Sequence, residues 1–365
     1  MNITIIAGAR PNFMKIAPII EAIEKKISKG LSINYRLVHT GQHYDKNLSD
    51  TFFKELGIPF PDINLDVKSG TQAEQTAAIV VGFEKELKQN PCDLVMVVGD
   101  VTSTMACAIV AKKEGVKVAH VEAGIRSGDM TMPEEINRIV TDSLTDYFFT
   151  TSVHANKNLL HLGVSKDQIF FVGNVMIDTL LKNKSKFKPP KIWIELNLQK
   201  GKYFVLTLHR PSNVDEENQL KALLNQMTSL SKDIPIIFPV HPRTKKILQT
   251  LDVNFKNLHL ISPLGYLEFN FLVENSLAVL TDSGGITEEA TVMKIPCMTL
   301  RDTTERPETC DIGTNILVGN NTEKIAVAFS MLYSGNWKQG KIPELWDGHS
   351  AERIVNHLVE IFNVK

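Results

Sequence analysis

The sequence has no excess of charge of either sign and no long apolar run. Its 365 residues include 40 lysines and arginines and 41 aspartates and glutamates, for a net charge of -1. Because the chain has no strong overall field, we expect no nucleic-acid partner, and an anionic ligand would have to be held locally. No stretch approaches the ~20 consecutive apolar residues of a membrane helix, so we expect no membrane partner either.

Cysteines are also few. Cys92, Cys107, Cys297 and Cys310 are scattered and form no CxxC pair. This pattern is typical of reduced, mostly buried thiols and argues against a disulfide framework or a metal site.

The N-terminal "MNITIIAGARPNF" has a short apolar run before a Gly-Arg-Pro break, which predicts a buried strand rather than a signal peptide. We therefore expect a cytoplasmic protein.

Short apolar, β-branched runs alternate with helix-length segments along almost the whole chain. Six such runs, from "NITIIAG" to "IFFVGN", precede about residue 175, and six, from "YFVLTLHR" to "NILVG", follow about residue 203. This order predicts parallel sheets covered by helices on both faces. The predicted fold class is α/β, with two Rossmann-like domains and a cleft between them.

The length suits two domains better than one core. We expect an N-terminal Rossmann-like domain over 1–178 and a C-terminal one over 179–348. The Lys- and Pro-rich "NKSKFKPPKIWIELNLQKGK" is the candidate link between them. The amphipathic "HSAERIVNHLVEIF" predicts a last helix, within 349–365, that packs back on the first domain.

Basic residues follow the first predicted strand in "GARPNFMK", which contains Gly8, Arg10 and Lys15. A solvated basic helix start is the simple interpretation. Cations at a helix N-terminus oppose the helix dipole, however, so their presence favours a bound anion such as a diphosphate.

Carboxylates follow the next buried strands. Asp100 ends one strand in "VVGDVTST", and Glu122 ends another in "HVEAGIRSGDMTMPEEINR". Asp100 alone could be a helix N-cap, whereas Glu122 has no capping duty. Of Glu134 and Glu135, we expect one to face the cleft and the other to pair with arginine or solvent. Grouped carboxylates are suited to moving protons at carbon.

The second half carries motifs suited to an anion. His209 and Arg210 follow one strand in "LTLHRPSNVD", and His241 and Arg243 follow the next in "FPVHPRT". A lone histidine at a strand end is often structural, but two His-Arg sites suit an anionic leaving group. "TDSGGITEEA", residues 281–290, predicts a strand, a glycine turn and a helix N-terminus that favours phosphate. "RDTTERPE" is either a surface ion-pair network or the edge of a binding cleft.

Together these motifs resemble the UDP-N-acetylglucosamine 2-epimerase family, in its bacterial, non-hydrolysing branch. The resemblance runs from Gly8 to about Gly319 and rests on motifs in the family's order. They are "GARPNFMKIAP", "TGQHYD", "GDVTST", "HVEAGIRS", "PEEINR", "GNVMID", "TLHR", "HP", "TDSGGITEEA" and "RDTTERPE". No single motif is decisive, whereas the ordered set is specific.

The resemblance implies the two-domain GT-B fold and reversible inversion at C2 of a UDP-sugar, from UDP-GlcNAc to UDP-ManNAc. It implies that UDP is first eliminated to give 2-acetamidoglucal and is then added back, with no metal or nicotinamide cofactor. A homodimer and a supply of ManNAc-type sugars for surface polysaccharide are also implied.

Site residues follow from the same resemblance. The implied catalytic set is Asp100, Glu122, Glu134 and His209. The implied UDP- and substrate-binding set is Arg10, Lys15, Arg138, Phe269, Ser283, Gly284, Gly285, Glu289 and Arg306. An allosteric substrate site of some family members matches Gln42, His43, Arg210 and His241. The glycine turn would cradle the diphosphate and Glu289 would bind ribose hydroxyls, which leaves Glu288 as a first-turn partner of the helix dipole.

Two motifs depart from the family pattern. "PNFMK" stands where many members have "PEAIK", and "HRPSN" where many have "HRREN". The departures leave open the substituents at C3 and C6 of the sugar, and a UDP-2,3-diacetamido uronic acid derivative is the nearest alternative substrate. A hydrolysing epimerase and a GT-B glycosyltransferase are the alternative reactions. Which carboxylate is acid and which is base also stays open.

Overall fold

The computed structural model describes residues 1–41, 57–240, 244–245, 247–248 and 255–365, with the backbone alone at 10, 211 and 212. The chain divides into two compact units. Unit 1 comprises Met1–Lys182 and Glu344–Lys365, and unit 2 comprises Asn183–Pro343. Within the described ranges, no helix is long and apolar enough to cross a membrane.

Unit 1 is built on a seven-stranded parallel sheet in the order β3-β2-β1-β4-β5-β6-β7. Its strands are β1 (Asn2–Ala7), β2 (Asn34–His39), β3 (Ile63–Asn64), β4 (Leu94–Val98), β5 (Lys117–Val121), β6 (Tyr147–Thr150) and β7 (Ile169–Phe171). Its helices are α1 (Arg10–Ile27), α2 (Gln72–Gln89), α3 (Thr102–Lys113), α4 (Pro133–Leu144), α5 (Val153–His161), α6 (Val175–Asn183, whose last residue begins unit 2) and the returning α14 (Ser350–Ile361).

The strands of unit 1 are apolar, as a parallel sheet that helices cover on both faces requires. All five residues of β4 are buried, as expected for a central parallel strand. The strand order reverses between β1 and β4, and open α/β sheets bind ligands outside the carboxyl ends of strands at such a point. A ligand site is therefore expected among the residues that follow β1, β4 and β5.

The C-terminal segment returns to unit 1 through specific bonds. The Asp178 carboxylate accepts the backbone N–H groups of Ser350 at 3.1 Å and Ala351 at 2.7 Å. These are N–H groups of the first turn of α14, which would otherwise have no partner within the helix. The fully buried Trp346 donates its indole N–H to the carbonyl of Thr151 at 2.9 Å. Helix α14 then packs against α1.

Unit 2 repeats this architecture with a six-stranded parallel sheet in the order β10-β9-β8-β11-β12-β13. Its strands are β8 (Phe204–Thr207), β9 (Ile236–Pro239), β10 (Leu258–Ile261), β11 (Ala278–Thr281), β12 (Cys297–Thr299) and β13 (Asn315–Leu317). Its helices include α7 (Lys191–Glu195), α8 (Pro211–Val214), α9 (Glu217–Leu230), α10 (Tyr266–Asn275), α11 (Gly284–Met293), α12 (Pro307–Asp311) and α13 (Thr322–Tyr333). The order reverses between β8 and β11.

The two Rossmann-like sheets confirm the predicted fold class. Each of the twelve apolar runs contains a strand, and the strand that the sequence did not indicate is β3, which has only two residues. The segment expected as a link has more structure than its composition suggests. Trp193 on α7 packs edge-on against Tyr203 and Phe271, with ring centroids 5.7 and 5.0 Å apart. This segment therefore forms part of unit 2.

A matched pair of glycines tests the return of the C-terminal segment. Gly173 has φ 93°, and an added Cβ would lie 2.1 Å from the carbonyl oxygen of Leu345. Gly163 has φ 82°, but no atom lies within 4 Å of an added Cβ. Gly163→Ala should cost about 1 kcal/mol of unfolding free energy, from backbone strain alone. Gly173→Ala should cost about 3 kcal/mol, because the Leu345 backbone must also move. Denaturant unfolding measures both, and equal losses would contradict this description.

Candidate functional site

A buried ion pair lies at the carboxyl edge of the unit 1 sheet. The Lys15 ammonium, from the second turn of α1, is 2.6 Å from Oε2 of Glu122, which directly follows β5. Glu122 is 3% exposed. Gly99, at the end of β4, leaves room for the pair: an added Cβ would stand 3.1 Å from the Lys15 Nζ and 3.7 Å from Oε2 of Glu122. Three elements therefore converge on one carboxylate.

The backbone of Glu122 is strained. Its φ is 72°, in the left-handed region that residues with a side chain rarely occupy. The N–H groups of Glu122 and Ala123 both donate to the carbonyl of Phe149, at 3.0 and 3.1 Å, and so hold this conformation. Such strain is concentrated at functional sites, where the surrounding structure enforces it.

Asp100 is held by helix α4. Its Oδ2 accepts bonds from Arg138 Nε at 3.1 Å and Nη2 at 2.5 Å, and its carbonyl accepts the Asn137 amide at 2.9 Å. The N-cap of α3 is Val101, so the structure excludes the N-cap role for Asp100. Arg138 is 3% exposed, whereas the Asp100 side chain is 29% exposed. The carboxylate therefore keeps an accessible side.

The two glutamates that begin α4 have different environments. Glu135 is buried and accepts bonds from Arg138 at 2.7 Å, from the Ser127 N–H at 2.9 Å and from the Gly128 N–H at 3.0 Å. Burial raises the pKa of Glu135, but these donors outweigh it, and the net pKa is lowered. Glu134 is exposed. Glu135 is therefore the member that pairs with arginine, and Glu134 is the one that can meet a ligand.

Asn12, in the departing "PNFMK" motif, is a structural residue. Its Oδ1 accepts the backbone N–H groups of Gly8 at 3.2 Å and Ala9 at 2.9 Å, and its Nδ2 donates to the carbonyl of Val98 at 2.8 Å. Asn12 is 2% exposed. The amide thus ties the start of α1 to β4 and is occupied by the backbone rather than turned toward a substrate.

In unit 2 a fully buried carboxylate orients a histidine. Asp282 follows β11 and accepts the Nδ1 of His209 at 2.6 Å, together with the backbone N–H groups of His209 and Arg210 and the amide of Asn213. Burial raises the pKa of Asp282, but these donors outweigh it, and the net pKa is lowered. His209 is 60% exposed, so Nε2 remains for a ligand. The site predictions did not include Asp282, although its position at a strand end was a signal.

The glycine turn begins α11. Ser283 is the N-cap residue, and Gly284 and Gly285 form the first turn. No atom lies within 4 Å of a Cβ added at Gly285, whereas one at Gly284 would lie 2.6 Å from Oε1 of Glu305. Space is therefore open beside Gly285 at the N-terminus of this helix, and a helix N-terminus favours an anion.

The paired glutamates of α11 have different partners. Glu288 lies beyond the first turn and forms a buried ion pair with Arg306, whose Nε is 2.5 Å from its Oε1. It is therefore a partner of arginine, and its expected role with the helix dipole was wrong. Glu289 is also buried, and it accepts the Tyr266 hydroxyl at 2.8 Å. Burial raises the pKa of Glu289 to about 7, against smaller opposite effects of Tyr266 and Asn270.

Comparison with known proteins identifies the family. The family model described as UDP-N-acetylglucosamine 2-epimerase matches residues 25–359. The chain belongs to the UDP-N-acetylglucosamine 2-epimerase family. It is 42% identical over 370 residues to the UDP-N-acetylglucosamine 2-epimerase of Methanocaldococcus jannaschii, which covers 98% of this chain and 99% of the relative.

Two further matches are informative. The crystal structure of the Methanocaldococcus jannaschii epimerase in complex with UDP-GlcNAc and UDP has a TM-score of 0.88 and 43% identity, and covers 99% of this chain and 100% of that one. A UDP-2,3-diacetamido-2,3-dideoxy-D-glucuronate 2-epimerase of Pseudomonas aeruginosa is 36% identical over 364 residues, covering 99% and 100%. The similarity is therefore not confined to bacterial members.

The structure brings most of the residues that match epimerase motifs to the carboxyl edges of the two sheets. In unit 1 these are Lys15, Asp100, Glu122, Glu134 and Arg138, and in unit 2 they are His209, Arg210, Ser283, Gly284, Gly285, Glu289 and Arg306. Phe269 is half-buried on α10 and packs against an apolar cluster. Gln42, His43 and His241 lie outside the described residues, as does the Arg10 side chain.

Asp282→Asn tests the carboxylate that orients His209. We expect a loss of about 2–3 kcal/mol of unfolding free energy at pH 7, because donors that face a buried carboxylate would meet an amide. Since its folded pKa is depressed, the contribution of Asp282 is present above its ordinary pKa of 3.8 and disappears as pH falls below that value. Urea unfolding measures the loss, with exposed Asp233→Asn as the control. Equal stability of the two variants would refute this role.

The contribution of Glu289 to stability changes with pH in the opposite direction to that of Asp282. Its folded pKa is raised from 4.5 to about 7, so its contribution is fully present below pH 4.5 and is lost as pH rises through about 7. Relative to Glu289→Gln, the wild type should lose about 3 kcal/mol between pH 4.5 and 8. Urea unfolding at several pH values measures the difference. The exposed Glu195→Gln should leave the wild-type pH dependence unchanged, and parallel curves for the wild type and Glu289→Gln would contradict this prediction.

Proposed function

We propose that the protein interconverts UDP-N-acetylglucosamine and UDP-N-acetylmannosamine by inversion at C2, as a non-hydrolysing isomerase. The observation that carries the proposal is the buried Lys15–Glu122 pair, 2.6 Å apart on a strained backbone, beside the Asp100 loop. Membership of the epimerase family and the bound UDP-GlcNAc in the Methanocaldococcus jannaschii structure support the choice of substrate.

The chemistry explains why several carboxylates are needed. The C2 proton of the sugar is too weakly acidic for direct removal, so the C1–O bond breaks first and its electron pair leaves with UDP. A carboxylate then takes the C2 proton, and the C2–H electron pair forms the C1=C2 bond of 2-acetamidoglucal. In the return step a proton is delivered to the opposite face of C2, and a UDP oxygen attacks C1.

Unit 1 supplies the groups for this proton transfer. In the proposal Asp100, Glu122 and Glu134 serve the two faces of C2, because inversion requires a proton acceptor and a donor on opposite sides. Arg138 holds Asp100 through two bonds, and Lys15 keeps a positive charge 2.6 Å from Glu122. These contacts fix the carboxylates before a substrate arrives, which lowers the reorganisation needed for reaction.

Unit 2 supplies the groups for UDP. The N-terminus of α11, at Ser283, Gly284 and Gly285, would accept the diphosphate. His209, oriented by Asp282 at 2.6 Å, would donate to the leaving phosphate oxygen. Glu289 would accept the ribose hydroxyls. In the same proposal Phe269 lies near uracil, and Arg10 and Arg306 contribute positive charge.

One experiment separates the reactions available to this set of residues. The protein is incubated with UDP-N-acetylglucosamine in D₂O, and C2 is followed by NMR. The proposal predicts deuterium at C2 together with UDP-N-acetylmannosamine. Free N-acetylmannosamine and UDP would indicate a hydrolysing enzyme. No exchange without an added acceptor would rule out epimerisation and favour a glycosyltransferase.

A second substrate has a specific observation in its favour. The Pseudomonas aeruginosa relative, at 36% identity over nearly the whole chain, is named for a UDP-2,3-diacetamido uronic acid. The same deuterium experiment with that substrate compares the two kcat/KM values. A higher value for the diacetamido sugar would replace the substrate that we propose and keep the reaction.

Single substitutions test the carboxylates. Asp100→Asn and Glu122→Gln should each lower kcat by ~100-fold or more, because a proton acceptor or donor at C2 is lost. UDP affinity, measured by calorimetry, should change little. The exposed Glu352→Gln serves as the control in the same unit. Turnover within a few-fold of wild type in either variant would remove that residue from the catalytic set.

A further inference from the structure

A buried histidine lies beneath the proposed catalytic loops. His120, on β5, is fully buried and makes two short contacts through its ring. Its Nδ1 is 2.7 Å from Oδ1 of Asp142 on α4, and its Nε2 is 2.8 Å from the carbonyl oxygen of Gly99. The ring therefore bridges α4 and the end of β4.

Both partner atoms of this ring are acceptors. A backbone carbonyl can only accept, so Nε2 must carry a proton to bond Gly99. Asp142 is an ionised carboxylate, because the always-charged Arg126 guanidinium lies 2.7 Å from Oδ2 of this buried side chain, and the Gly124 N–H donates to the same oxygen at 3.1 Å. Nδ1 must therefore carry a proton as well.

We infer that His120 is a buried imidazolium, protonated on both ring nitrogens, and that it acts as a positioning residue for the loop that carries Asp100. A neutral ring would direct one nitrogen lone pair at an oxygen less than 3 Å away. In the part of the chain that the structure describes, the charged groups in contact with the ring and its partner are Asp142 and Arg126, both from unit 1.

Through its hydrogen bond to the Gly99 carbonyl, the charged His120 ring holds the loop that carries Asp100. Gly99 has φ 70° and precedes Asp100, whose carbonyl and carboxylate are held by Asn137 and Arg138. Asp142 lies on the same helix as these two residues, so α4 fixes the loop both directly and through His120. Glu122 follows His120 by two residues. The imidazolium therefore connects the backbones that position both carboxylates.

The first test measures the charge directly. The wild-type protein is labelled with ¹⁵N in its histidines, and the His120 ring is assigned through its own backbone amide. At pH 7.5, where an exposed histidine is mostly neutral, we expect both ring nitrogens of His120 to be protonated. Either neutral tautomer at this pH would overturn the inference. This test needs no variant and no substrate.

The second test concerns turnover and rests on the proposed epimerase function. His120→Gln can donate to Gly99 or to Asp142 but cannot reproduce the charged bridge, so we expect kcat to fall at least tenfold. KM and UDP affinity should change less than twofold, which distinguishes mispositioning from general unfolding. The exposed His161→Gln is the control.

The outcomes of the two tests can be told apart. A wild-type protein without epimerase activity would refute the proposed function, while the NMR result would still decide the charge of His120. An active wild type together with an unchanged kcat in His120→Gln would refute the positioning role.

Discussion

Buried carboxylates beside the parallel strands are the constraint on which both units depend. A carboxylate removed from water without partners is very costly, so each one fixes the donors around it. Glu122 holds Lys15, Asp142 holds His120 and Arg126, and Asp282 holds His209 and two backbone N–H groups. The same contacts that compensate the buried charge also aim the side chains that a ligand would meet.

The two units use this constraint differently. In unit 1 the exposed side of the arrangement is acidic: Asp100 and Glu134 retain access, while Arg138 and Glu135 are buried behind them. In unit 2 the groups that a ligand could meet are donors, namely the exposed His209 ring and the N-terminal turn of α11. Unit 1 is therefore suited to moving protons at carbon, and unit 2 to holding an anion. This division is what the proposed elimination of a diphosphate and reprotonation of a sugar would require.

The sequence predicted the fold well because its signals are local. Apolar runs such as that of β4 are continuous, since parallel strands are covered on both faces, and they appear without knowledge of the rest of the chain. The two-residue β3 lacked any such run. Local reasoning also located Glu122 and the Ser283–Gly285 turn, because each follows a strand directly.

Contacts between residues far apart in the sequence could not be predicted from local sequence patterns. Glu288 binds Arg306 rather than its own helix dipole, and Asp282 orients a histidine 73 residues away. In the sequence His120 looks like one more strand residue. Its role depends on the contacts of its two ring nitrogens with Gly99 and Asp142, which belong to other elements. Asn12, which looked like a change near the substrate, proved to be bonded to the backbone on every side. Such roles depend on which strand ends become neighbours, and sheet order decides that.

In the proposed reaction UDP leaves C1 and returns while carboxylates exchange the proton at C2. This proposal is tested most directly with UDP-N-acetylglucosamine that carries ¹⁸O in the oxygen bridging C1 and the β-phosphorus. If the C1–O bond breaks, the freed phosphate can rotate, and the label should move to non-bridging positions at a rate comparable to epimerisation. Epimerisation with the label retained wholly in the bridge would contradict the account.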